Sequence, residues 1–218
     1  MVDLDAVADS VLDGLTCHEH KRAAAIAGDR ERTLWSRSRG VLRALLARYT
    51  SGEAGALELR IGSRGKPELS GRSGRDPFFN LSHSSNLALY AFCSDSEVGV
   101  DIQALRHERR RAGVDHVGLA RRAFGEREAQ RLSLVAPECR EQEFLRAWTR
   151  HEAELKRLGT GIGAGSREDR RSDGTGAGAR RAVPHTAPVM LELDVGHEAA
   201  AALALERKPT ELRQWAWS

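Results

Sequence analysis

The 218-residue chain is 40% hydrophobic and carries 34 basic against 31 acidic residues for a net charge of +3, enough apolar content for one large domain or two small lobes around a real core. Its three widely spaced cysteines, Cys17, Cys93 and Cys139, argue against a disulfide framework and a zinc site, and suit a reducing cytoplasm. No apolar run approaches the roughly 20 residues that span a bilayer, and Asp3, Asp5 and Asp9 stand where a signal peptide would be basic, so a soluble, intracellular protein is expected.

In chain order, the pattern predicts helix over residues 18 to 49 and a strand over 56 to 61. Arg64, Gly65, Lys66 and Pro67 follow, then Asn80, Leu81, Ser82, His83 and Ser84, a small-polar and basic loop. Hydroxyls, an imidazole and free backbone amides there can all donate to phosphate oxygens, although each piece alone reads equally as an ordinary turn. Residues 86 to 93 and 97 to 103 are strand-like, with Ser94 to Glu97 as a turn, and predict a β-hairpin. In the second strand Val98, Val100 and Ile102 face one way while Asp101 and Gln103 face the other. Asp101 is then either a solvated surface carboxylate or an oxygen ligand for a metal.

Arg106, His107, Arg109, Arg110 and Arg111 form a basic cluster, with Arg121 and Arg122 soon after. It fits an acidic partner or a merely solvated surface; nucleic acid is not expected, because no stacking aromatics are interleaved. Helices are predicted over 115 to 132 and 141 to 158. In the latter Phe144, Trp148, Leu155 and Leu158 share one arc, Glu152 and Lys156 sit together at its edge, and Gly159 occupies the left-handed cap position. From the helix alone, Glu152 and Lys156 read as a weak stabilising pair or as an acid and a base one turn apart. Residues 163 to 188 have almost no apolar content before Val183, which predicts a flexible loop. Strands are expected over 189 to 195 and 200 to 206, giving an α+β pattern.

The order of these motifs, Gly65-Lys66-Pro67, Asn80 to Ser84, Gly99 to Ile102 and Trp148 to Lys156 with Gly159 and Gly161, resembles the Sfp-type 4′-phosphopantetheinyl transferases. The helix from Trp35 to Tyr49, the Phe124 to Glu128 segment and the tail from Ala199 to Trp217, which is similar to the family's closing strands, extend the resemblance over most of the chain. It implies two similar α+β lobes related by a pseudo-twofold axis: an N-terminal lobe over 1–105 and a C-terminal lobe over 106–218, with the ligand between them. It also implies transfer of phosphopantetheine from coenzyme A to an acyl or peptidyl carrier protein, by a cytoplasmic monomer with no need of nucleic acid or membrane.

Residue by residue, the resemblance gives Asp101, Gln103 and Glu152 to Mg²⁺, Glu152 to the proton of the carrier serine, and Lys156 to the leaving phosphate. Coenzyme A contacts fall on Arg39, Lys66, Ser82, His83 and Lys156. Gln103 stands where many members carry glutamate and His151 where lysine is common, so a noncatalytic coenzyme A-binding protein with a decayed metal site is the alternative.

Overall fold

The computed structural model describes residues 1–50, 52–62, 66–71, 73, 76–105, 114–160 and 187–217. Arg64, Gly65, the Arg106 to Arg111 cluster, Gly161 and all but the last two residues of the 163–188 segment lie outside them. Strands and helices in order are β1 (Val2–Asp3), α1 (Cys17–Ala24), α2 (Asp29–Thr50), β2 (Leu59–Ile61), β3 (Pro67–Leu69), β4 (Phe78–Ser84), β5 (Leu87–Cys93), β6 (Val98–Ala104), α3 (His116–Phe124), α4 (Glu126–Ser133), α5 (Arg140–Leu158), β7 (Val189–Glu192) and β8 (Ala199–Leu205). The α+β reading is borne out. No helix among the described residues is long and apolar enough to cross a membrane, and the three cysteines are free.

Two antiparallel three-stranded sheets organise the chain, in orders β1-β5-β4 and β6-β8-β7, with β2 and β3 as a separate pair. Between the two sheets lies an apolar core of Leu89, Val98, Val100, Ile102, Ala199, Ala201, Leu203 and Leu205. On the far side of the first sheet, Leu34 and Val41 of α2 pack with Val2, Leu4 and Ala88, while Leu42 and Leu46 pack with Leu69 and Phe79. On the far side of the second, Ala153 of α5 meets Ala202 and Ala204 of β8. The layers thus run helix, sheet, sheet, helix.

Several expectations change. The hairpin lies one strand earlier: β4 pairs along its whole length with β5, from Phe78 opposite Cys93 to Ser84 opposite Leu87, whereas β6 pairs with β8. The Asn80 to Ser84 segment is therefore a strand, because its polar residues alternate with apolar ones in a half-buried position. The helix over 18 to 49 breaks between Ala24 and Asp29, and the α3–α4 helix breaks at Gly125, whose φ of +91° lies outside the right-handed region. Residues 206–217 form no strand. They run back to the N-terminus, where the Met1 ammonium donates to the Trp215 carbonyl at 2.7 Å and the Arg48 guanidinium covers the Trp217 ring at 5.6 Å.

The apolar arc read for α5 is not the face against the sheet. Thr149 and Ala153 are buried, Phe144 and Trp148 turn toward Phe124 of α3, and Leu158 is exposed. Bulky periodicity marks the helix–helix contact, while small residues mark the closer approach to the sheet. Trp148 is half-buried against the Ala120, Leu132 and Phe144 cluster, and Gly159 caps the helix in the left-handed conformation at φ +66°.

Candidate active site

The site forms where β4, β6 and α5 converge. Along β6, Val98, Val100 and Ile102 fill the inter-sheet core, which turns Gly99, Asp101 and Gln103 to the other face. That face is covered. A Cβ on Gly99 would lie 2.0 Å from the Ala153 carbonyl oxygen and 2.4 Å from the Arg157 amide nitrogen, so only glycine lets the helix backbone settle directly on the strand. Asp101 is consequently 2% exposed instead of solvated.

Its carboxylate is met from two sides. Asp101 Oδ1 accepts from Lys156 Nζ at 2.7 Å and from Ser82 Oγ at 2.7 Å, and the same ammonium donates to Ser82 Oγ at 2.7 Å. Gln103 Nε2 donates to Asp101 Oδ2 at 3.2 Å. An ion pair this deep must be hydrogen-bonded to offset the cost of removing both charges from water, and Ser82 supplies that closure. Lys156 has three donor hydrogens, so its two bonds to Asp101 and Ser82 leave one for the open side, where its side chain is 24% exposed.

Glu152, half-buried one helical turn before Lys156, has its pKa raised above the ordinary carboxylate value. Burial is the larger cause and the charge of Asp101 the next, with Lys156 and His151 pulling the other way. His83, at the end of β4, has its pKa lowered, first by desolvation from the surrounding chain and then by the ammonium of Lys156. His151 sets its ring edge-on to Phe124 at 5.5 Å, and the half-buried His116 packs at 5.6 Å from the Phe144 ring.

The structure thus gathers Ser82, Asp101, Gln103, Glu152 and Lys156, while His83 alternates to the other face of β4 from Ser82 and is exposed, within reach of the charge of Lys156. Lys66 and Arg39 are elsewhere. Lys66 Nζ donates to Glu97 Oε2 at 2.5 Å and to the Val98 carbonyl at 3.2 Å, at the start of β6. Arg39 lies on α2, its Nε 3.4 Å from Glu19 Oε1 and its guanidinium over the Trp35 ring at 5.5 Å. One of its nitrogens, Nη1, is buried without a partner among the described residues.

Residue reasoning missed the structural importance of Gly99, Asn80 and Ser84. Val100 N–H donates to Asn80 Oδ1 at 2.9 Å and Ala104 N–H to Ser84 Oγ at 3.0 Å. The signal was present: Asn80, Ser82 and Ser84 alternate, as one face of a strand must.

The donor set suits a hard cation. Asp101 and Glu152 bring two carboxylates close enough for one to raise the proton affinity of the other, and a divalent cation relieves that repulsion. Among the described residues no three His, Cys, Asp or Glu side chains form a metal-holding group, so the donors to be set against Mg²⁺, a cation of oxygen ligands, are the two carboxylates and the amide oxygen of Gln103.

Residues 97–204, from the turn before β6 into β8, one residue short of its end, match the profile of the 4′-phosphopantetheinyl transferase superfamily. This segment belongs to that family. The match takes in Asp101, Glu152 and Lys156 together with both strands beneath α5. Relatives include the 4′-phosphopantetheinyl transferase HetI of Nostoc sp., 37% identical over 149 residues, which are 68% of this chain and 61% of HetI. The slr0495 protein of Synechocystis sp., whose name carries the same activity, is 37% identical over 137 residues, 63% of this chain and 53% of its own length. The transferase AcpT of Salmonella typhi is 33% identical over 102 residues, 47% of this chain and 50% of AcpT. The chain therefore spans about half to three-fifths of the relatives it matches.

Proposed function

We propose that this chain transfers 4′-phosphopantetheine from coenzyme A to a serine of an apo carrier protein, of the acyl or peptidyl kind used in polyketide or nonribosomal peptide synthesis, releasing adenosine 3′,5′-bisphosphate. The observation that carries the reading is the buried Asp101–Lys156 pair, closed by Ser82 and flanked by Glu152 with its raised proton affinity. In this reading the 1–105 and 106–218 regions act as two lobes around the ligand, and the enzyme is a cytoplasmic monomer.

Glu152 takes the proton of the carrier serine as its oxygen attacks the β-phosphorus; a carboxylate with a raised pKa is the stronger base. Lys156 presents its remaining N–H to the phosphate oxygen that gains charge as the phosphoanhydride bond breaks. Asp101, Glu152 and the amide of Gln103 would hold Mg²⁺, which when bound neutralises the diphosphate. His83 and Ser82 border the phosphate side, while Lys66 and Arg39 serve the nucleotide end once their present partners, Glu97 and Glu19, share them. Most of the rate enhancement then comes from positioning and charge.

The test is intact-mass spectrometry of apo carrier proteins incubated with this protein, coenzyme A and Mg²⁺, with an EDTA control. A gain equal to one phosphopantetheinyl group that EDTA abolishes is the expected result. Binding of coenzyme A with no gain on fatty-acid, polyketide or peptide carriers would favour the noncatalytic binder.

A further inference from the structure

Strands β4 and β6 border the site yet belong to different sheets, so no ladder of backbone bonds joins them. Their connection is made by side chains. On β4 the residues at alternate positions 80, 82 and 84 meet β6 in step: Asn80 Oδ1 accepts from Val100 N–H, Ser82 Oγ donates to Asp101 Oδ1, and Ser84 Oγ accepts from Ala104 N–H. The matching order, ascending on both strands, makes them parallel neighbours. Asn80 is 4% exposed and Val100 fully buried, so the amide held by Asn80 has no access to water as a replacement acceptor.

We infer that Asn80 and Ser84 are positioning residues that fix the register of β6 against β4 and thereby seat Ser82, Asp101 and Lys156 on one another. Their side-chain hydrogen bonds go to the backbone of β6 and to none of the three. Their effect passes through the strand: a loosened β6 moves Asp101 away from Ser82, and Lys156 loses the geometry in which one ammonium serves both oxygens. Polar side chains do this where a backbone ladder does not, because a ladder would draw the two strands to about 4.8 Å and leave no room for a side-chain site between them. The inference rests on the reading of Asp101, Glu152 and Lys156 as the reaction centre.

The experiment compares wild-type protein with Asn80→Ala, Asn80→Asp and Ser84→Ala. Three readouts are taken: amide hydrogen exchange at Val100 and Ala104, the rate of Lys156 acetylation by a water-soluble acetylating reagent with exposed Lys208 as internal standard, and transfer kinetics. Asn80→Ala is expected to speed exchange at Val100 about tenfold and acetylation of Lys156 about threefold, as a buried donor loses its acceptor. Its kcat should fall about tenfold with KM for coenzyme A nearly unchanged. Asn80→Asp, which keeps an acceptor oxygen, should return Lys156 labelling toward the wild-type rate. Ser84→Ala, which deletes one half-buried hydroxyl, should raise Ala104 exchange and Lys156 labelling in the same sense and so decides the matter if Asn80→Ala does not fold. Faster exchange with Lys156 labelling and kcat unchanged would overturn the inference, leaving Asn80 and Ser84 as mere strand fasteners. If wild-type protein modifies no carrier, the transferase reading falls, and exchange with labelling still decides whether these residues seat Lys156.

Discussion

Helices α2 and α5 each cover one three-stranded sheet, with opposite materials. Helix α2 meets its sheet through Leu34, Val41, Leu42 and Leu46, all 8% exposed or less. Helix α5 meets its sheet through Gly99, Ala153, Ala202 and Ala204, where there is little side chain to bury. Large residues at an interface bring stability through area removed from water, whereas small ones bring backbones together and fix distance. The Asp101–Lys156 pair sits on the second interface, where the close approach of helix and strand lets the lysine reach a carboxylate held only one methylene from its backbone.

The sharpest way to break this contrast is Gly99→Val. With a Cβ 2.0 Å from a backbone carbonyl, the helix itself must move, and a stability loss of about 3 kcal/mol or more is expected together with loss of the Lys156–Asp101 bond. Chemical denaturation and Lys156 labelling read both. Leu42→Ala attacks the other interface: it should cost about 3 kcal/mol through the lost transfer energy and the cavity, yet leave transfer per folded molecule intact. An equal fall in specific activity for Leu42→Ala would show that the two interfaces are not divided in this way.

Lys156→Met strips the cation from a buried carboxylate that keeps only Ser82 and Gln103. A loss of about 2 kcal/mol is expected, below the figure for fully buried pairs because Lys156 is partly exposed, and an unchanged denaturation midpoint would contradict it.

Glu152→Gln has a smaller and opposite effect on stability, although it should abolish transfer. Because the folded-state pKa of Glu152 is raised, the folded protein binds the proton more readily than the unfolded chain does. The cost of its charge is therefore absent below the ordinary carboxylate range and grows as pH rises through the folded pKa. The variant should melt slightly higher than wild type at pH 7 and equally near about pH 4. Melting curves at the two pH values check the sign. Smallest is Gln103→Glu, expected to lower the Mg²⁺ concentration needed for half-maximal transfer by a few-fold at most; calorimetric titration of Mg²⁺ alone gives a readout free of turnover.

Much of this was legible in the chain. Alternation gave Asp101 and Gln103 one face of β6, helical spacing brought Glu152 and Lys156 together on α5, and Gly159 marked the cap. These are local properties, set by the periods of strand and helix. The partner of each strand was not local: β6 was read as hairpin-paired with β5, and it pairs with β8, more than ninety residues on. Nothing in residues 94–97 distinguishes a turn that closes a hairpin from one that crosses between sheets, because that choice depends on where the Ala-rich β8 arrives.

The same limit applied to the site. Residue type and spacing determined which side chains had the chemistry, an acid, a base, a lysine and a hydroxyl. Whether Asp101 would be solvated or sealed, whether Lys156 would pair with Glu152 on its own helix or with Asp101 across to the sheet, and whether Lys66 and Arg39 would join them were decided only when α5 settled on Gly99. Burial and pairing of charge depend on what lies opposite, and only the tertiary structure places one element opposite another.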